Sequence, residues 1–208
     1  SCRVEASMCA VGWDAEGLDV RRLQMVRLLR GGELVKLSKR TGQTITLSEL
    51  IEEVGTDAAR YFFVMRSMDS QLDFDMDLAT SQSNENPVYY IQYAHARICS
   101  IFRQAEENNL KAENPELALL VEETEINLIN KLAEYEDEIE KAAKEYAPQR
   151  IARYAYDLAG CFHSFYNQCR ILGVDEKLAE ARLALVKATA HVIRHALGIV
   201  GVSAPERM

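Results

Sequence analysis

The chain has 208 residues, of which 48% are hydrophobic and 27% are charged, and its formal net charge is −8 at pH 7. These values are ordinary for a soluble globular protein. No uninterrupted apolar run approaches the roughly 18 residues of a membrane span, and the first residues lack the basic start and apolar core of a signal peptide. We therefore expect a cytoplasmic protein with no membrane partner.

Cysteine usage agrees with a reducing compartment. The five cysteines lie at positions 2, 9, 99, 161 and 169, and no Cys-x-x-Cys pair occurs among them. An odd number without that spacing argues against a disulfide framework and favours reduced thiols in the cytosol. Cys161 and Cys169 stand among helical apolar residues, so we expect them in the core.

The uneven distribution of charge bears on a nucleic-acid partner. Residues 106–145 contain thirteen acids and four bases, a local charge of −9, so the rest of the chain sums to +1. Residues 21–40 contain seven bases against Glu33 alone. A concentrated basic segment suits a polyphosphate partner, although a solvated basic face is the alternative. We expect the acidic stretch to form a solvated helix face turned away from any nucleic acid.

Short elements around a loop are predicted for the first part of the chain. The apolar run 23–29 suits either a buried strand or a helix and ends at two glycines, and a polar loop follows over residues 33–43. Thr46 and Glu49 predict a capping box at the start of a helix that stops at Gly55.

A second helix and a connector are predicted next. Asp57 can cap this helix, whose inner face would carry Ala58, Tyr61, Phe62 and Met65. Residues 67–86 are polar and predict an irregular connector, with a domain boundary near residues 86 and 87. Asp73 and Asp75 alternate in this stretch, and we interpret them as solvated charges and not as a catalytic carboxylate pair.

From Pro87 onward the apolar spacing is helical almost throughout. We predict helices that begin at Pro87 and Pro148, with others over residues 117–132 and 136–146. The Pro148 helix is expected to end at Gly173, and Asp175 to cap the last helix. The inward residues of that last helix would be Leu178, Ala181, Leu185, Ala188, Val192 and Leu197. The chain is thus predicted to be mainly α, ending in an all-α bundle.

The segment from Lys36 to Arg40 is the most informative for chemistry. Two lysines flank Ser38 in a loop bordered by glycines, and lysine ammonium groups can follow charge as it moves onto a leaving pyrophosphate. The spacing does not match the P-loop, so this is not a phosphate cradle of that kind. Taken alone, five such residues are common in surface loops.

Longer stretches give the loop a context. Residues 31–42 (Gly-Gly-Glu-Leu-Val-Lys-Leu-Ser-Lys-Arg-Thr-Gly) resemble the KMSKS-type loop of class I aminoacyl-tRNA synthetases, in particular the bacterial arginyl enzymes. The similarity continues through residues 52–63, 73–75, 84–97 and 201–208, and spans roughly residue 10 to the end. Leu37 stands where methionine is usual and Arg40 where many class I enzymes have serine, but leucine conserves the volume of methionine.

This resemblance implies three parts. Residues 1–42 would be the tail of a Rossmann-like catalytic domain, 43–86 connecting helices, and 87–208 a DALR-type anticodon-binding domain. Lys36, Ser38 and Lys39 would act in catalysis, with Lys36, Lys39 and Arg40 on ATP. The implied reaction attaches arginine to tRNA(Arg) with ATP and Mg²⁺, in a protein expected to be a monomer. The family's His-x-Gly-His signature is absent from these residues, so we expect the chain alone to be inactive.

The resemblance also implicates Tyr93, Arg97, Tyr166 and Met208 in the anticodon pocket. Tyr93 and Arg97 are four apart and share a helical face, and on another helix His163, Tyr166, Asn167 and Arg170 recur at spacings of three and four. Unpaired bases are recognised by stacking on aromatics and by bonds to their edges. From periodicity alone, the tyrosines would be interpreted as core residues.

Two alternatives to a ligase remain open: a non-catalytic tRNA-binding fragment, and a plain helical interaction domain. His191 and His195 are spaced as a metal pair would be, but no third ligand is evident, so we predict no metal site.

Overall fold

The computed structural model describes residues 2–14, 17–18, 20–35 and 45–208. Helix α1 spans Cys2–Ala10, and a sheet follows, made of β1 (Val26–Arg30), β2 (Glu33–Leu34) and β3 (Leu72–Asp75). Helices α2 (Leu47–Val54) and α3 (Thr56–Val64) precede β3, and α4 (Met76–Thr80) follows it directly. Residues 36–44, which include most of the KMSKS-type segment 31–42, lie outside the described residues.

The remaining helices form the bundle. They are α5 (Pro87–Glu107), α6 (Glu123–Ala133), α7 (Tyr135–Glu145), α8 (Gln149–Gln168) and α9 (Glu176–Val200), with a short 3-10 turn at Leu117–Leu119. α8 lies at the centre, since it packs against α5, α6, α7 and α9. α3 also contacts α5, α8 and α9, so the core of the bundle continues into the part that precedes it.

The apolar run near residue 28 forms a strand. β1 pairs parallel with β3, with Leu28 opposite Phe74, and antiparallel with β2. Gly31 and Gly32 join β1 to β2 with φ of 59° and 74°, the left-handed conformation that a tight hairpin turn requires. Leu28 and Phe74 are buried, and Phe74 packs on Phe62 with ring centroids 5.3 Å apart. The apolar run is therefore a strand and not a helix, because one face of the sheet is buried against α3.

The predicted capping box at α2 is present. The Thr46 hydroxyl accepts a hydrogen bond from the Glu49 backbone N–H at 3.2 Å, and the Glu49 carboxylate accepts from the Thr46 N–H at 2.7 Å. Gly55 ends the helix, as expected. The reciprocal bonds satisfy two donors that the first turn of a helix leaves free.

Several expectations for the first part of the chain were wrong. Asp57 does not cap α3: Gly55 is the N-cap, and no side chain caps that end. The supposed irregular connector contains β3 and α4. Asp73 forms an ion pair with Arg27 at 2.6 Å, and Asp75 caps α4, so the two carboxylates have structural partners and are not merely solvated. The polar composition of this stretch did not indicate β3, because only Leu72 and Phe74 of that strand are buried.

Helix ends in the bundle also differ from the prediction. The predicted helix over residues 117–132 begins only at Glu123, because Glu122 and Glu125 form a capping box there. α8 ends at Gln168, short of Gly173, with Cys169 as its C-cap. Asp175 does cap α9, accepting from the backbone N–H groups of Lys177 and Leu178.

The core face of α9 follows the predicted periodicity in part. Ala181, Leu185 and Leu197 are buried, Leu178 and Val192 are half-buried, and Ala188 is exposed. By length and composition α9 would also suit a membrane span, but half of its apolar window is buried inside the bundle. That burial is typical of a core helix. Cys169 is buried and Cys161 is half-buried, as expected for core thiols.

Candidate nucleic-acid interface

Helices α5 and α8 lie side by side, and aromatic rings fill the seam between them. Tyr90 contacts Tyr156 and His163, with ring centroids 5.1 and 4.6 Å apart. Tyr93 stacks on His163 at 6.1 Å and on Tyr89 at 6.0 Å, with the two tyrosine rings nearly parallel. The i, i+3 and i, i+4 spacings that predicted shared faces therefore bring these rings together.

Arg97 lies between two tyrosines from different helices. Its guanidinium carbon is 4.6 Å from the Tyr93 ring centroid and 4.7 Å from that of Tyr166. One guanidinium nitrogen also donates to the Tyr93 hydroxyl at 2.8 Å. A planar cation on ring faces gains electrostatic attraction and becomes rigid. The second ring, Tyr166 from α8, therefore helps to fix the position of the Arg97 guanidinium.

A surface cavity of about 470 Å³ opens at this cluster. Its walls include Tyr93, Arg97 and Tyr166, and also Met208 from the last residues of the chain. Tyr166 is 39% exposed and Met208 is 56% exposed, so apolar surface remains accessible to a ligand there. Four of the five residues predicted for the anticodon pocket thus line one cavity, although they come from three separate segments.

The residues after α9 return over α5 and reach this cavity. Val202 is buried, and the Pro205 carbonyl oxygen lies 3.0 Å from Nδ1 of His95. Arg103 donates to the Glu206 carbonyl at 3.4 Å. Val200 is buried as well, so two apolar side chains and the Pro205 carbonyl contact hold this segment against the bundle.

Asn167 takes a different position from its neighbour. It is exposed on α8 and is not among the residues that line the cavity. The cavity instead includes Arg103 and Arg207, which sequence reasoning did not select. Arg103 lies six residues beyond Arg97, about 120° around the α5 axis, so extending the predicted face would not have selected it, whereas Arg207 directly precedes Met208.

The surroundings of His163 favour its neutral form. Burial lowers the pKa of His163 below its ordinary value of 6.5, and the nearby Arg97 charge lowers it further, while the Tyr90 carbonyl acts in the opposite direction. Near neutral pH the imidazole is therefore an uncharged ring within the aromatic stack. The positive charge of the cavity comes from arginine.

The basic segment 21–40 is less available than its composition indicated. Arg27 pairs with Asp73, and Arg30 pairs with Glu53, each at 2.6 Å. Arg21 lies over the Tyr146 ring at 4.5 Å. Lys36, Ser38, Lys39 and Arg40 lie outside the described residues. Arg27 and Arg30 are therefore neutralised by carboxylates, whereas Arg21 lies on a ring and Arg22 is exposed.

The possible metal ligands do not converge. Among residues 2–14, 17–18, 20–35 and 45–208, no group of three or more His, Cys, Asp or Glu side chains is placed to hold a metal ion. His195 of the His191–His195 pair has its Nδ1 atom 2.7 Å from the Tyr135 hydroxyl.

Together, the bundle and its cavity define an all-α domain with an aromatic and basic binding surface. A family model described as the DALR anticodon binding domain matches residues 91–208, more than half of the chain. The chain therefore belongs to the DALR anticodon binding domain family.

Curated relatives extend the similarity to nearly the whole chain. The chain is 59% identical to an arginine–tRNA ligase of Carboxydothermus hydrogenoformans, covering 99% of the chain and 38% of the relative. It is also 59% identical to an arginine–tRNA ligase of Desulforudis audaxviator, covering 99% and 37%. The similarity thus begins well before residue 10. The chain spans well under half the length of these relatives.

Solved structures share the fold. A putative arginyl-tRNA synthetase from Campylobacter jejuni superposes with a TM-score of 0.86 at 32% identity, over 99% of the chain and 44% of that structure. An arginyl-tRNA synthetase from Thermus thermophilus gives a TM-score of 0.77 at 26% identity, over 99% and 38%.

Proposed function

We propose that the chain binds tRNA(Arg) through its anticodon loop, as part of an arginine–tRNA ligase. The observation that carries the proposal is the cavity where Tyr93, Arg97, Tyr166 and Met208 meet. Membership of the DALR family and the ligase relatives support it. Asn167 is included as an outer contact, because it is exposed beside Tyr166.

The aromatic groups suit unpaired bases. A base has two apolar faces, and stacking on an aromatic side chain stabilises it by about 1–3 kcal/mol. Tyr166 and Met208 supply exposed apolar surface at the cavity, and Tyr93 is partly exposed. This face opens to solvent at the cavity.

Arg97 can provide directional hydrogen bonds and a positive charge. Its guanidinium is held on two ring faces and keeps further N–H donors, which can bond acceptor atoms on a base edge. Because the rings restrict its movement, less conformational entropy is lost on binding than for a free side chain. The arrangement supports recognition of a particular base.

A binding titration tests the proposal. The 208-residue chain is titrated by filter binding with tRNA(Arg) and with the same tRNA carrying a non-arginine anticodon. We expect tighter binding of tRNA(Arg) by at least about tenfold, the discrimination of one well-placed base contact. Equal affinity for both would leave only non-specific RNA binding, and no affinity for either would favour a plain helical interaction domain.

The catalytic part of the proposal concerns the loop. In the complete ligase, Lys36, Ser38 and Lys39 would stabilise the leaving pyrophosphate, and Lys36, Lys39 and Arg40 would contact ATP, which enters with Mg²⁺. Arginine would be activated and then transferred to the tRNA. We also propose that the ligase is a cytoplasmic monomer. Within it, residues 1–42 would end the catalytic domain, 43–86 would form connecting helices, and 87–208 would form the anticodon-binding domain. The described part of the chain supplies the tRNA contact, and we expect no aminoacylation from it alone.

Lys39→Ala in an active ligase that contains this chain tests the loop. Loss of a charged contact to a transition state costs about 2–4 kcal/mol, so kcat should fall by about 30-fold or more. Affinity for tRNA(Arg) should not change. Arg22→Ala, in the same basic segment but outside the loop, is the control. An unchanged kcat for Lys39→Ala would remove the catalytic assignment.

A further inference from the structure

The residues after α9 are held by α3, which precedes the family-matched segment. Gly201 ends α9 with φ of 72°, and a Cβ atom there would contact the Arg60 guanidinium. Arg60 also donates to the Val200 carbonyl at 3.3 Å. The chain therefore leaves α9 in close contact with α3, at a position whose positive φ favours glycine.

The carboxylate of Asp57, in the first turn of α3, accepts several hydrogen bonds. Asp57 accepts a hydrogen bond from the Ser203 backbone N–H at 3.1 Å and another from the Ser203 hydroxyl. It also accepts from the Gln92 side chain at 2.8 Å, and the same Gln92 nitrogen donates to the Ser203 carbonyl at 3.0 Å. Both polar backbone atoms of Ser203 thus have partners on α3 or α5.

These contacts bear on the cavity because Ser203 begins the terminal segment that reaches it. Residues 203–208 form no helix or strand, so no regular backbone bonding restrains them. A terminal segment of this kind frays unless side chains tie it down. Five residues after Ser203, Met208 lines the cavity beside Arg97, and Arg207 does so as well.

We propose that Asp57 is a positioning residue of the anticodon cavity, which acts by fixing Ser203 and thereby placing Arg207 and Met208 against Tyr93, Arg97 and Tyr166. This inference rests on the proposed function. Asp57 caps no helix and forms no ion pair among the described residues, so its contacts with Gln92 and Ser203 are its main interactions. Its location in the first turn of α3 adds a favourable interaction with the helix dipole.

The alternative is that Asp57 contacts RNA directly. Asp57 and Gln92 line a second cavity of about 650 Å³, which Met208 also borders. A negative carboxylate repels the phosphate backbone, so a direct contact would have to be made with a base. The two roles differ in whether they operate through Ser203, and a double-mutant cycle separates them.

The experiment compares Asp57→Ala, Ser203→Ala and the double variant in the 208-residue chain. Two quantities are measured: the dissociation constants for tRNA(Arg) with its own and with a non-arginine anticodon, and hydrogen exchange over residues 201–208. Asp69→Ala, an exposed aspartate outside the contacts of this segment, is the matched control.

We expect Asp57→Ala to weaken binding of tRNA(Arg) about tenfold, the usual effect of losing hydrogen bonds to a charged acceptor. Binding of the other tRNA should change less, and exchange over residues 201–208 should accelerate. Ser203→Ala, which keeps its backbone N–H, should weaken binding about threefold. The double variant should resemble Asp57→Ala alone. If Asp57→Ala does not fold, the Ser203→Ala result decides.

Other results would overturn the inference. Additive effects of the two substitutions would indicate a direct RNA contact. Faster exchange with unchanged discrimination would mean that Asp57 holds the segment without serving the cavity. Unchanged binding and exchange would remove the role altogether. If the unmodified chain shows no anticodon preference, the proposed function fails instead, and the exchange data still show whether Asp57 holds the segment.

Discussion

Arginines in two regions of the molecule have different neighbours. One region is the α5–α8 cavity, and the other is the acidic edge formed by α6, α7 and the start of α8. On the acidic edge, Glu138 binds two nitrogens of Arg150 at 3.0 and 3.1 Å, and Glu145 lies 3.4 Å from a third. In the cavity, Arg97 lies on two tyrosine rings, and no ion pair joins it to a carboxylate of the described chain.

This difference explains how an acidic protein can present the proposed RNA site. Net charge describes the whole surface, whereas a ligand meets only the local field. Cations neutralised by carboxylates contribute little to that field, but cations held on rings keep their charge and their remaining donors. Arg182 is the extreme case of a neutralised cation, since it is buried with Glu125 and bonds it at 2.6 Å.

The largest expected effect comes from breaking that buried pair. Arg182→Ala leaves the Glu125 carboxylate buried without its partner and also removes a bond to the Arg170 carbonyl. We expect the free energy of unfolding to fall by about 3–5 kcal/mol, as for other buried pairs that lose one member. Urea denaturation measures it. Arg150→Ala on the exposed edge should change stability little, and similar losses for both would contradict the comparison.

The next effect concerns the ring that supports Arg97. Tyr93→Ala removes a stacking surface worth about 1–3 kcal/mol, so binding of tRNA(Arg) should weaken by about one to two orders of magnitude. The loss should be smaller for tRNA that lacks an arginine anticodon. Tyr146→Ala, an exposed tyrosine at the end of α7, should have no effect on binding. If Tyr93→Ala unfolds the domain without a selective defect, Tyr93 is a core residue.

A smaller effect isolates the charge itself. Arg97→Gln keeps a polar group but loses the cation, and we expect about tenfold weaker binding of tRNA(Arg) with reduced discrimination between anticodons. Filter binding at a fixed salt concentration gives both values. Arg150→Gln provides the comparison on the acidic edge and should bind as the unmodified chain does. Equal losses of tRNA affinity for Arg97→Gln and Arg150→Gln would show that both arginines act only through their general positive charge.

The smallest effect is on the pH dependence of stability. Because the pKa of His163 is lowered in the folded state, the unfolded chain binds a proton first as the pH falls below about 6.5, and stability declines from that point. Above that pH the imidazole is neutral in both states. His163→Gln should flatten the decline between pH 7 and 5, whereas His191→Gln, at an exposed position, should not. Parallel curves for all three proteins would show that another group titrates.

Local patterns identified most elements correctly. Thr46 and Glu49, Gly55 and Asp175 act over a few residues, and each has the predicted role. The helical spacing of apolar residues from Pro87 onward likewise predicted the helices of the bundle. β3 was missed because its strand is defined by pairing with β1, 46 residues earlier. Pairing between distant segments leaves little trace in local composition.

The candidate site divides in the same way. The sequence by itself determined that Tyr93 and Arg97 share a helical face and that residues 201–208 resemble a family terminus. Only the tertiary structure decided that Arg97 lies between Tyr93 and Tyr166, that Met208 reaches the same cavity, and that Asn167 does not. It also assigned Asp57 to Ser203, 146 residues away, where local rules predicted a helix cap. Helical periodicity fixes directions within one helix, but which groups meet depends on how separate helices pack.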